Sequence, residues 1–456
     1  MLKKINEAVK LILSKNDITT EEGRRREREK RIALTAITAA IGKVLNTAIP
    51  LITVKITLSY LGDELYGLWA TVTSFFALFA FADLGMGNGL QTELSRATGK
   101  DNKELCRKLI SSAYLVLTVA SAILVIIFLG VFPFVNWASL MNAQSEESVA
   151  LVGSFVMALF LSKLIGIPTS LVQRVQNSYQ EGYFANLWGY LGSLLSLSFI
   201  IIVWKFDLGK STMMWTSAFV VVIIYIVNTL YFFGIARKEI RPCIRFVDKK
   251  IATMLLKTGF LFFMLSILTS ISLSLDNFVV TKVVSLKETA SYSIAFKIAS
   301  FIGIISTMLS TPLWAANGEA LTRGDYSWVR KQTKKMTELS LLLSVVASIG
   351  LCIASKPVLF WLGKDIAVSY GTLIGMCVTQ ILVATTNPMF MVLNASRKVI
   401  VQMIMYGIYA VVSMSLKFAL GRIYGAVAVA WSGAISFLLI IVPILWYAYR
   451  KEVNKE

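Results

Sequence analysis

The sequence predicts an all-α polytopic membrane protein with about twelve transmembrane helices. Three observations carry this expectation. Of the 456 residues, 56% are hydrophobic and only 16% charged, where a soluble domain carries roughly a quarter charged; mean hydropathy is +0.69. Twelve stretches approach the roughly twenty apolar residues that a spanning helix requires. Basic residues also alternate from one connecting loop to the next.

The stretches lie near 33–59, 65–92, 109–132, 149–173, 184–204, 213–236, 252–275, 289–314, 337–355, 368–392, 399–420 and 425–448. With the N-terminus inside, the cytoplasmic segments hold 32 Lys and Arg and the outer loops only 7. Lys and Arg collect on the cytoplasmic side of membrane proteins, so both termini are expected there, in a bacterial inner membrane. The expected organisation is a basic N-terminal segment (1–32), a six-helix bundle (33–236), a basic linker (237–251), a second six-helix bundle (252–448) and a short tail (449–456). All outer loops are short, so function must reside within the bundle or on its cytoplasmic fringe.

The net charge of +19 is explained by those basic loops, and no nucleic-acid partner is expected. The chain has no histidine, and its four cysteines (Cys106, Cys243, Cys352, Cys377) lack CxxC spacing. Zinc, haem and histidine acid–base chemistry lose their usual ligands. No metal, cofactor or catalytic residue is expected. No cleavable signal peptide is visible. Leu2, Ile5, Val9, Ile12 and Leu13 recur at helical spacing with Lys3, Lys4, Lys10 and Lys15 on other faces. That pattern fits either a helix lying on anionic membrane lipids or a polar tail.

A shift of about 226 residues brings the two halves into register. Tyr66 falls on Tyr292, and the run from Glu93 through Arg96 and Gly99 to Asp101 meets Glu319, Arg323, Gly324 and Asp325, with one gap. Six helices per half give a parallel repeat related by an axis along the membrane normal. Transporters built this way hold substrate at the repeat interface.

Six basic residues remain inside the spans: Lys43, Lys55, Lys163, Lys257, Lys297 and Lys417. Each costs about 2.5–3.5 kcal/mol at a helix centre. Lys257 and Lys417 are close enough to helix ends for their amines to snorkel. Lys43 and Lys163 lie well inside their helices. Only Asp83 and Asp276 occupy comparable positions, as partners for lysine (Asp83 with Lys43 or Lys163) or as ion-coupling groups. Six bases against two acids predict an electropositive, water-filled cavity suited to an anion. Lys43, Asn46 and Pro50 share a helix face, with Lys55 about a third of a turn away. Pro50, Pro168 and Pro388 are candidate bends. The alternating glycines of Asp83-Leu84-Gly85-Met86-Gly87-Asn88-Gly89 follow no strand, so they are not a nucleotide loop; they imply close helix contact or local unwinding.

Taken together, Tyr66-Gly67-Leu68-Trp69, Asp83 through Leu90, Gln173-Arg174-Val175-Gln176-Asn177-Ser178-Tyr179-Gln180-Glu181-Gly182 and Pro312-Leu313-Trp314-Ala315-Ala316-Asn317-Gly318-Glu319 resemble the signatures of O-antigen and polysaccharide repeat-unit flippases of the Wzx type. The resemblance covers essentially the whole chain. Where the family often has a proline and aromatic residues after the helix-eight tryptophan, this chain has Ala315-Ala316. The resemblance implies a fold like the multidrug/oligosaccharidyl-lipid/polysaccharide (MOP) exporters, MATE transporters among them. It also implies translocation of undecaprenyl-pyrophosphate-linked oligosaccharide, with polysaccharide polymerase and chain-length proteins as partners. The family's cationic lumen would be supplied here by Lys43, Lys55, Lys163, Lys297 and Arg174. Two rivals stand beside this reading. A drug or cation exporter of the same superfamily would want a carboxylate-rich lumen. A membrane-embedded polymerase or glycosyltransferase would display a large outer loop or an acidic catalytic motif.

Overall fold

A computed structural model of the chain describes residues 20–77, 83, 85–141, 143, 145–274, 276–284, 286–362 and 369–454. The interfacial helix expected near residues 2–15 lies outside them. Among the described residues every regular element is helical. Nine helical stretches among them are long and apolar enough to cross a membrane. Large apolar side chains such as Ile126 (69% exposed), Ile353 (73%) and Val411 (69%) stand on the outside of these helices. Such surfaces would be untenable in water and belong against lipid. The protein is a multi-pass membrane protein.

The chain forms two compact units, one of residues 29–260 and one of residues 261–456 together with the turns before Glu29. The first unit contains most of α1 (Glu21–Ala77), then α2 (Met86–Gly99), α3 (Lys103–Val131), α4 (Glu146–Thr169), α5 (Leu171–Ser178), α6 (Gly182–Lys205) and α7 (Lys210–Tyr231). The basic segment after α7 forms short 3-10 turns fastened to α3. Ser111 and Ser112 Oγ accept the Cys243 and Asp248 N–H groups at 3.1 and 3.0 Å, and the Arg107 guanidinium stacks 4.0 Å over Phe246. The boundary between units falls inside α8 (Lys249–Ser274). The second unit continues with α9 (Asp276–Val283), α10 (Leu286–Thr322), α11 (Tyr326–Leu362), α12 (Tyr370–Ala395), α13 (Val399–Ser436) and α14 (Val442–Val453).

Two very long helical runs are each two helices joined without a loop. α1 turns at Gly62 (φ 76, ψ 171) and α13 at Gly425 (φ 70, ψ −158). Both fall in a backbone region open essentially to glycine alone, which is why so few residues make these connections.

The second expected span, 65–92, is not one helix. α1 ends at Ala77 and α2 starts only at Met86. The cause is local. Gly85 is left-handed (φ 71), and the Asp83 carboxylate accepts the N–H groups of Gly85 at 3.0 Å and Gly87 at 3.4 Å. These are donors that a helix start leaves open. Further along, a Cβ on Gly89 would lie 3.1 Å from the backbone nitrogen of Gly259 and 3.4 Å from the Leu255 carbonyl. The glycine run thus supplies both local unwinding and a backbone-to-backbone helix contact. Gly89→Leu is expected to destabilise the first unit by about 1–3 kcal/mol, as overpacking does, read as an earlier unfolding midpoint in detergent.

The turns that were matched between the two halves of the sequence close in the same way. Asp101 and Gln180 in the first unit, and Gly324 and Arg397 in the second, all have positive φ. In each case the next N–H reaches a carbonyl five residues back: Asn102 to Ala97 at 3.2 Å, Glu181 to Gln176 at 2.8 Å, Asp325 to Ala320 at 2.9 Å and Lys398 to Leu393 at 2.9 Å. This is the Schellman closure of a helix end. A side-chain cap then opens the next helix, from Asn102 to the Leu105 N–H at 2.9 Å and from Asp325 to the Trp328 N–H at 3.3 Å. The Glu–Arg–Gly/Asp runs matched in the sequence are these helix–turn–helix corners.

Candidate functional site

The charged residues inside the spans fall into three groups. Lys417 is neutralised. It lies on α13, only 1% exposed, with its ammonium donating to Asp276 Oδ1 at the start of α9. The Tyr292 hydroxyl donates to the other carboxylate oxygen at 2.8 Å. Gly433 makes room for the lysine, since a Cβ there would sit 3.3 Å from Lys417 Cε. The snorkelling expected of Lys417 is therefore wrong. Its position near a helix end suggested an escape to water, but packing closes that route and the charge is met by a carboxylate 141 residues away in sequence.

Asp83 and Arg174 form the second group. Arg174, on α5, is half-buried, and Asp83 is the carboxylate whose charge acts on it. The two flank Gly87: a Cβ there would lie 3.1 Å from both Arg174 Nε and Asp83 Oδ2. Asp83 thus faces Arg174 and a helix N-terminus, and not Lys163 as the sequence allowed.

The third group holds the remaining lysines of the spans. Lys163 is on α4, on the order of 26 Å along the helix from its first residue at 1.5 Å per residue, and is exposed between buried Ser162 and Leu164. No hydrogen bond or ion pair ties its amine to any described residue. Lys55 on α1 and Lys257 on α8 are likewise exposed. Lys43 on α1 and Lys297 on α10 lie on described helices, but their side chains fall outside the described residues. Pro168 precedes the break between α4 and α5 at Ser170, just beyond Lys163, and Pro388 lies inside α12.

Sequence reasoning missed the ion networks at the helix ends. In the second unit the Arg25 guanidinium forks onto Asp325, Nε to Oδ2 at 3.1 Å and Nη2 to Oδ1 at 2.8 Å. Arg28, with its side chain 3% exposed, lies 3.3 Å from Asp325 and 3.9 Å from Glu319, and 4.7 Å over the Trp328 ring. Arg323 donates to Glu319 at 3.1 Å. Burial pushes the Asp325 carboxyl up, but the Arg25 hydrogen bond and the charges of Arg28 and Arg25 outweigh it and hold the group below its ordinary value. Burial pulls Arg28 somewhat below the usual arginine value, against Glu319 and Asp325. In the first unit, Arg31 donates to the Tyr179 carbonyl at 2.7 Å and Arg237 pairs with Glu181. The signal in the sequence was the recurrence of Glu93–Asp101 as Glu319–Asp325, which marks helix corners where Glu93, Glu319 and Asp325 are buried.

The comparisons with known proteins place this multi-pass helical bundle among membrane transporters. The model of the polysaccharide biosynthesis protein family matches residues 35–314, and the MatE model matches residues 261–419. The chain belongs to the polysaccharide biosynthesis protein family. It is 24% identical over 434 residues to a Yersinia pseudotuberculosis protein named for O-antigen export, covering 92% of this chain and 96% of that one. A Salmonella typhi protein named for O-antigen transport is 24% identical over 293 residues, 63% of this chain and 65% of that one. Among solved structures, a MATE transporter in its straight conformation superposes with a TM-score of 0.78 at 16% identity, over 98% of this chain and 99% of that one. A Pyrococcus furiosus MOP-superfamily transporter, described as having a binding pocket of reverse polarity, gives 0.76 at 16% identity over the same shares. The fold is that of the MATE transporters.

Proposed function

We propose that the protein is a flippase that carries undecaprenyl-pyrophosphate-linked oligosaccharide from the cytoplasmic to the outer leaflet of the inner membrane by alternating access, with both termini in the cytoplasm. One observation carries the reading. Both span carboxylates are already engaged, Asp276 by Lys417 and Asp83 by Arg174 and two backbone N–H groups. Lys163 therefore stands exposed in mid-span with no counter-charge among the described residues. A cation left in that position marks a polar pathway, and its complement is an anion.

A diphosphate-linked sugar cannot cross hydrocarbon unaided, because its charges and hydroxyls would lose hydration. A cationic passage lets the head group through while the polyprenyl tail stays in lipid. Lysine suits the task as a hydrated point charge that binds and releases. Lys43, Lys55 and Lys297 would join Lys163 along the passage, and Arg174, restrained by Asp83, would stand near the cytoplasmic entrance. The relatives named for O-antigen export and transport favour the same substrate class. A drug exporter for cations would need free carboxylates, and the two available are neutralised.

The test is complementation. Expression in strains lacking a repeat-unit flippase, across several glycan structures, should restore surface polysaccharide in at least one of them. Normal membrane levels with no rescue in any strain would refute the assignment.

A further inference from the structure

We propose that the segment joining α7 to α8 in the first unit is an interfacial anchor that docks on anionic lipid headgroups, with Ile244 as its apolar tip. Both neighbours of the segment are long and apolar enough to span, from Lys210 to Ala236 and from Lys249 to Ser270. A short link between two spans leaves and re-enters the membrane on one side and stays near its surface.

The feature that sets this link apart is Ile244. A solvated loop shows polar side chains at its tip, yet Ile244 is 81% exposed. It stands between Arg241 and Arg245, both exposed. Leu230 and Ile235, on the chain leading to it, are exposed as well and continue the lipid-facing apolar surface of α7 toward the link. The tip is not a loose end. The N–H groups of Cys243 and Asp248 are held by Ser111 and Ser112 Oγ at 3.1 and 3.0 Å. Arg107 Nε donates to the Arg241 carbonyl at 3.1 Å, and its guanidinium stacks over Phe246. The fold thus fixes the backbone on both sides of Ile244 and leaves its side chain uncovered. A preordered segment loses little freedom on docking.

The charges around the tip are spare. Arg237 is spent on Glu181 and Glu239, and Lys108 on Glu104. Lys238, Arg241, Arg245, Lys249 and Lys250 remain, all exposed, and no hydrogen bond or ion pair ties their side chains to a described residue. The acids of the link are occupied: Glu239 lies 3.6 Å from Arg237, and Asp248 Oδ1 accepts the N–H groups of Lys250 and Ile251 at 2.8 and 3.1 Å. An apolar side chain set among unpaired cations is complemented by a layer of anionic headgroups, whose phosphates meet the bases while the side chain enters the acyl boundary. A soluble anion would meet the charges and leave Ile244 in water.

Cys243 is exposed beside Ile244, so it can carry an environment-sensitive dye. The full-length protein labelled there is placed in phosphatidylcholine nanodiscs with increasing phosphatidylglycerol, and labelled Cys243→Ser sets the background. As phosphatidylglycerol rises, emission should move to the blue, lipids brominated on the acyl chain should quench it, and acrylamide in solution should quench it less. Added salt should reverse the change. Arg241→Gln/Arg245→Gln should raise the phosphatidylglycerol fraction needed for half the change about threefold, and Ile244→Asn should abolish quenching by the brominated chains. All three side chains are exposed, so the unfolding midpoints in phosphatidylcholine alone should match wild type. A dye that stays open to acrylamide at every lipid composition overturns the anchor. So does a blue-shifted dye that ignores phosphatidylglycerol, or an identical response from wild type and both variants. None of these readings depends on transport.

Discussion

Lys417→Met is expected to destabilise the protein by about 3–5 kcal/mol, the cost of stranding one partner of a buried ion pair. The sequence alone suggests the opposite, that a lysine near a helix end is dispensable. In the fold, its ammonium is 1% exposed and donates to Asp276, which also accepts the Tyr292 hydroxyl. Without Lys417 the carboxylate would face Tyr292 alone in a site packed by Tyr409 and Gly433. Asp276→Asn should do comparable damage from the other side. The double variant Asp276→Asn/Lys417→Met removes both charges and should recover much of the loss, because two uncharged groups need no mutual compensation. Membrane abundance and detergent unfolding midpoints of the four proteins form the cycle. Additive losses would mean that the two residues act independently and that the pair contributes no coupling.

The fold class was legible because lipid imposes a simple rule: each span must be apolar, helical and about twenty residues long. The Glu–Arg–Gly/Asp runs marked helix–turn–helix corners in both units. The break in the second span was not legible. A hydropathy window averages across Asp83–Gly89, and nothing in local propensity says that Asp83 will take two N–H groups and start a new helix there. The glycines did announce either close contact or unwinding. Only packing against Gly259 showed that both occur.

The pairings of the span charges were not legible in the sequence. Counting charges inside spans identified a surplus of cations, which needs no coordinates. Deciding which cation is spare needs partners, and those are far apart in sequence: Asp276 meets Lys417 across 141 residues and Arg25 meets Asp325 across 300. Helical periodicity gives the face a residue occupies, but not the helix that will stand against it. Hence Lys417 passed as peripheral, and the arginines of the N-terminal run passed as loop charge when Arg28 is among the most buried charges described.

Lys163→Ala should abolish surface polysaccharide while leaving the protein as stable as before, or more so. The two halves of that expectation have one physical origin. An unpaired ammonium in mid-span costs about 2.5–3.5 kcal/mol on insertion scales, and the exposed Lys163 side chain recovers none of it through any described partner. Removing it takes away a penalty and no contact, so abundance and unfolding midpoint should hold or rise. A residue kept at such a cost is expected to act on something other than its own fold, and sites of this kind trade stability for activity. Lys163→Arg keeps the charge while exchanging a compact ammonium for a delocalised fork, and should retain partial function. Lys43→Ala offers a parallel measurement on the first span. If Lys163→Ala lowers stability and leaves polysaccharide export intact, the lysine is a structural residue and the electrostatic passage must be sought elsewhere in the bundle.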